Sequence, residues 1–154
     1  MTLVGVTMTA NEYLRQYEQA VNRVRRYEEE YEKEKYLIDA VRSLSDNDGM
    51  PHGTNISRPT EEKAIRLADK SLRLMDAKLE AIRVRQEIFD MIMRLDGLEA
   101  DVLAERYLDL DANGHMLTWE TVCERVHYSW PTVRAAWHRG LNMVEEILIQ
   151  EVTK

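Results

Sequence analysis

An all-α fold, a long helical hairpin or coiled coil followed by a small helical domain, is what this sequence predicts, on three observations. Charged residues make up 32% of the 154 residues, while six Gly and three Pro leave long stretches uninterrupted. Two of those stretches repeat their apolar residues at alternating steps of four and three, the spacing of paired helices. Near the C-terminus, two shorter helical patterns meet across a very tight turn. The expected division is residues 1–94, the hairpin or coiled coil with a loop over 45–59, and residues 95–154, the terminal domain.

The first helix is expected from about Thr9 to Leu44. Tyr13, Tyr17, Ala20, Val24, Tyr27, Tyr31, Glu34, Ile38 and Val41 keep a strict heptad step along it. Four tyrosines at helical spacing are read as a packing face rather than as platforms for stacking bases. Arg23, Arg25 and Arg26, followed by Glu28, Glu29, Glu30, Glu32 and Glu34, form a solvated charged face with pairs one turn apart.

Periodicity stops over 45–59, where Asp46, Asn47, Asp48, Gly49, Pro51, Gly53, Asn55, Ser57 and Pro59 concentrate. A connector of this length is longer than an ordinary helix-helix loop, and His52 within it has no partner at ligand spacing. Thr60, with Glu61 and Glu62, opens the next helix, whose apolar row is Ile65, Ala68, Leu72, Met75, Leu79, Ile82, Gln86, Phe89 and Met93. Two such helices can fold back on each other or pair with a second chain. A homodimer is expected.

Asp96 and Gly97 break the pattern, and a helix over Leu98–Leu108 opens the terminal domain. Asp109, Asp111, Asn113, Gly114 and Glu120 then match the spacing of an EF-hand calcium loop. Leu117 stands where a polar ligand is usual, and no second loop is present to pair with this one. Asn113-Gly114 is therefore read as a simple turn, with no metal or other cofactor expected.

From Thr118 the chain reads as two helices. Thr118 caps the first, Glu120 sits in its first turn, and Val122, Cys123 and Val126 mark one buried face that ends near His127. Ser129 caps the second, Pro131 is tolerated in its first turn, and Val133, Trp137, Leu141 and Val144 form the next stripe. Two short helices and a tight turn make a helix-turn-helix. If it reads DNA, the outward first turns of the second helix must meet base edges and phosphates. Those positions are Ser129, Trp130, Pro131, Thr132, Arg134, Ala135, His138 and Arg139. Arg134 suits a guanine edge, Arg139 and His138 suit phosphates, and Trp130 or Ala135 suits a thymine methyl.

The stretch from about Asp96 to Val144, with Ala104-Glu-Arg-Tyr-Leu108 ahead of the tight turn and Thr132-Val-Arg134 after it, resembles the fourth conserved region of bacterial sigma-70-type factors. With the helices in front, the chain resembles small phage transcriptional regulators of the ArpU and RinA kind. That family also carries a loop resembling Met50-Pro51-His52-Gly53 through Arg58-Pro59-Thr60. The resemblance implies a phage-encoded regulator that touches promoter double-stranded DNA and bacterial RNA polymerase. Two alternatives are a small terminase-like packaging subunit, which also joins a helix-turn-helix to an oligomerising part, and a polymerase-binding module that reads no DNA.

Charge argues against strong DNA binding, since the net charge is −7. From Leu95 onward eleven acids face five bases (net −6), whereas the residues before it hold seventeen against sixteen (net −1). Between Arg125 and Gly140, however, stand three Arg, two His and no carboxylate, so the field over the second helix is expected to be locally positive. Cys123 is the one cysteine, which excludes an intrachain disulfide, and its place on the buried face marks it as a core residue. The start, Met-Thr-Leu-Val-Gly-Val, lacks the basic and apolar regions of a secretion signal, and no apolar run is of membrane-spanning length. The expected address is the cytoplasm. With no phosphate loop, nucleophile elbow or zinc-protease motif, the chain is not expected to be an enzyme.

Overall fold

The computed structural model describes residues 8–46 and 57–153. Among them the fold is all-helical apart from one β-bridge: α1 (Ala10–Leu14), α2 (Gln16–Asp46), α3 (Ser57–Ile92), α4 (Gly97–Tyr107), α5 (Trp119–Val126) and α6 (Trp130–Val152). The loop expected over 45–59 falls largely outside the described residues, His52 and Met50–Gly53 included. Its far end is shorter than expected, because α3 begins at Ser57 and not at Thr60. Pro59 lies in that first turn, where its missing N–H has no intrahelical partner to lose.

The chain divides into two units, Met1–Val21 with Ala81–Lys154, and Asn22–Glu80. In the second unit α2 and α3 run side by side, joined where Lys70 reaches Glu34 at 3.2 Å and Glu30 at 3.6 Å. The expected row of α2 is the packed one there as far as Ile38, with Val24, Tyr27, Tyr31 and Glu34 half-buried and Ile38 buried, whereas Val41 at its end is exposed. On α3 the packed row is not the expected one. Leu67, Lys70, Leu74 and Ala77 turn inward, while Ile65, Leu72, Met75 and Leu79 are exposed.

The first unit holds the main core. α1 starts at a capping box, in which Glu12 N donates to Thr9 Oγ1 (3.2 Å) and Thr9 N donates to Glu12 Oε2 (3.3 Å). The helix expected to run unbroken from Thr9 is interrupted only at Arg15, whose N donates to Asn11 O and whose O accepts from Gln19 N. Leu14 from α1, Ile88 and Ile92 from α3, Leu103 and Tyr107 from α4, and Val144 from α6 are all buried in one cluster. A second cluster, Val102, Leu117, Val122, Val133 and Ala136, lies under the tight turn. Residues before position 95 thus share a core with the terminal helices.

Close approach of α4 and α6 depends on Gly140. A Cβ built there would stand 3.0 Å from Leu103 Cδ1 and 3.2 Å from its Cγ, tighter than packed side chains tolerate without moving. Among the described residues, no helix is long and apolar enough to cross a membrane.

Candidate nucleic-acid interface

The two helices of the motif form as their signals require. Thr118 is extended and its side chain accepts Thr121 N at 3.3 Å, which opens α5. His127 closes α5 in the left-handed region, with φ 63°, and its N–H donates to Cys123 O at 2.9 Å. Two residues later Ser129 is extended again and its carbonyl accepts Val133 N at 3.0 Å, which starts α6. Ser129 holds the cap position through its backbone, since its side chain makes no cap hydrogen bond and lies 3.4 Å from Thr132 Oγ1.

Period and turn together decide which side chains face out. Val133 and Ala136 are fully buried, Trp137 and Leu141 half-buried, and Val144 buried, as a stripe of this spacing demands. Ser129, Trp130, Pro131, Thr132, Arg134, Ala135, His138 and Arg139 are all exposed. They form one outward face over the first turns of α6. Cys123 is half-buried against the lower cluster, with Val126.

Aromatic rings fix the root of this face. Trp119 of α5 lies 5.2 Å from Trp130 and 4.7 Å from Trp137 between ring centroids, and His138 lies 4.8 Å from Trp137. The Arg106 guanidinium sits 4.4 Å over Trp119 and donates to Leu117 O. Trp137 Nε1 donates to Tyr107 Oη at 3.1 Å, and Tyr107 Oη donates to Asn11 Oδ1 at 2.5 Å. Burial pushes the Tyr107 phenol above its ordinary pKa. This relay ties α6 through α4 to α1.

The arginines are less available than their spacing suggests. Arg139 Nε donates to Glu99 Oε1 of α4 at 2.7 Å, and that hydrogen bond holds the Glu99 carboxyl below the ordinary carboxylate range. Arg125 pairs with Glu105 at 3.1 Å and Asp109 at 3.5 Å. Arg134 has no ion pair or hydrogen bond with the described residues. Two of the three arginines counted as a positive patch are thus neutralised from α4 and the loop after it. The locally positive field narrows to Arg134. Glu99, Glu105 and Asp109 lie far from these arginines in sequence, and no periodicity pairs them.

The loop before α5 closes as a turn. Leu110 and Met116 form an antiparallel bridge, Asp111 N donates to His115 O at 2.8 Å, and Gly114 takes φ 77°, a conformation side chains rarely adopt. The Asp111 carboxylate accepts from Asn113 N and His115 N, while Asp109 faces Arg125. Among the described residues no three acidic, His or Cys side chains converge as a metal set. Glu18 of α2, buried, anchors the loop by accepting Met116 N at 3.1 Å. A carboxylate placed ninety-eight residues away could not be assigned this role from spacing.

Compared with protein-family models, with curated proteins and with solved structures, the chain has no match.

Proposed function

We propose that this protein is a DNA-binding transcriptional regulator that reads promoter DNA with the first turns of α6. The observation that carries the reading is the single outward face Trp130, Arg134, Ala135 and His138, set on a helix whose opposite stripe is locked into two core clusters. A side chain that discriminates bases must reach the major groove from a rigid support. Arg134, exposed and without a partner among the described residues, has the donor fork that guanine O6 and N7 accept. The resemblance of Asp96 to Val144 to a sigma-type region supports the same assignment, and it brings phage origin and contact with RNA polymerase with it.

The second reading is a polymerase-binding module that reads no DNA. It is favoured by the pairing of Arg125 and Arg139 with carboxylates, which leaves a terminal half of net charge −6 little to hold phosphates with. Both readings meet in one experiment. Duplexes selected from a random pool by the full chain are titrated by fluorescence anisotropy against Arg134→Ala and Arg139→Ala. Arg134→Ala should cost about 1–3 kcal/mol on the selected sequence and flatten its preference over scrambled DNA. Arg139→Ala should change binding to both duplexes little, because Glu99 already holds that guanidinium. A folded Arg134→Ala variant that binds as the unaltered chain does would remove the DNA reading and leave the polymerase module.

A further inference from the structure

α3 is apolar on two faces. Its packed row, Leu67, Lys70, Leu74, Ala77, Ala81, Val84, Ile88 and Met91, itself steps by three and four. The row containing Ile65, Leu72, Met75, Leu79 and Ile82 is offset from it by two residues, which puts the two about 160° apart around the helix. Those five large side chains remain 56–66% exposed, and the same step continues through Phe89 and Met93. Isolated exposed apolar residues are ordinary, but an uninterrupted heptad row on the side away from the packed one is not.

The geometry points to this outward row of α3 as a parallel coiled-coil seam for a second copy of the chain. The step of three and four is the pattern that keeps a seam facing a partner helix, and a row of this kind is complementary to itself. Covering it from both sides removes on the order of 700 Å² per chain, close to the roughly 800 Å² per partner of a specific interface.

Gln86 selects the orientation. Gln86 is the single polar residue of the row and now donates to Asp90 Oδ1 at 2.9 Å. In a parallel pair it meets the other Gln86, and the two amides can hydrogen-bond. In the two longest antiparallel overlaps it meets Ala68 or Met75, neither of which offers it a hydrogen bond. One edge of the row carries Lys78 and Arg85 with Ala64 and Ser71, and the other carries Asp69, Asp76 and Asp90 with Arg83. Parallel pairing sets Arg85 against the other chain's Asp90 but Lys78 against its Arg83, one attractive and one repulsive contact per edge, so the charges leave the choice of orientation to Gln86.

The test uses the full chain without DNA, so it stands apart from the reading of α6. Sedimentation should give twice the chain mass, and Leu72→Lys with Leu79→Lys should halve it with helicity unchanged, since both side chains are already exposed. In a Cys123→Ala background, Leu72→Cys should form a disulfide-linked dimer under mild oxidation. Either antiparallel overlap would hold the two residues about 15 Å or more apart along the axis. A chain that stays monomeric at every concentration, or a double variant that stays dimeric, overturns the seam. A dimer in which Leu72→Cys does not cross-link overturns the parallel orientation.

Discussion

Tyr107 shows how one side chain couples distant parts of this fold. Its hydroxyl accepts from Trp137 and donates to Asn11, so Tyr107→Phe deletes both bonds while keeping the ring. Loss of about 1–2 kcal/mol is expected in chemical denaturation, because Trp137 Nε1 and Asn11 Oδ1 are left unpaired in partly buried surroundings. The phenol also gives a pH dependence. Its pKa is raised by burial, so the folded state holds the proton more tightly than the unfolded state. Stability should be full below the ordinary tyrosine range and decline as pH rises from there toward the raised folded value. Tyr13, raised by its own burial, adds to the decline, and Tyr107→Phe should make it shallower. None of this was legible in the sequence, since Asn11 and Tyr107 are 96 residues apart. The outward placement of Arg134 and His138 was legible, because it needs only the helical period and the burial of Val133 and Trp137.

At the scale of elements, the tight turn and the α4–α6 crossing make opposite demands on glycine. His127 occupies the left-handed region where a residue with a Cβ is strained, so His127→Gly should raise stability by about 1 kcal/mol in thermal unfolding. Gly140→Val should lower it by about 2–3 kcal/mol, because the added methyls press into Leu103. If Gly140→Val melts with the unaltered chain, the crossing is looser than described. Helix limits were largely readable from Thr9, Thr118, Ser129 and Pro131, each of which acts on its immediate neighbours. The packed face of α3 was not. Its inward row mixes Lys70, Ala77 and Ala81 with larger residues, so the outward row of Ile, Leu and Met dominates the pattern. Periodicity reports that a face is apolar, and it cannot report which partner covers it.

For the molecule as a whole, the opposition is between an acidic chain and a face proposed to meet a polyanion. At net charge −7 the distant acids are screened beyond a Debye length of about 8 Å, so recognition must rest on short-range contacts from α6. Charges counted along the chain give a broader positive patch than the fold leaves, because the carboxylates of Glu99, Glu105 and Asp109 fold onto two of its arginines. The account therefore confines DNA to a small surface. The measurement that tests this most directly is the change in backbone amide NMR signals when a selected duplex is added to the full chain. The largest shifts should fall on Ser129 to Arg139, with Val144 to Val152 and the Asn22 to Glu80 unit little moved. Saturable binding with those shifts on α2 or α3, and residues 129–139 unmoved, would contradict it.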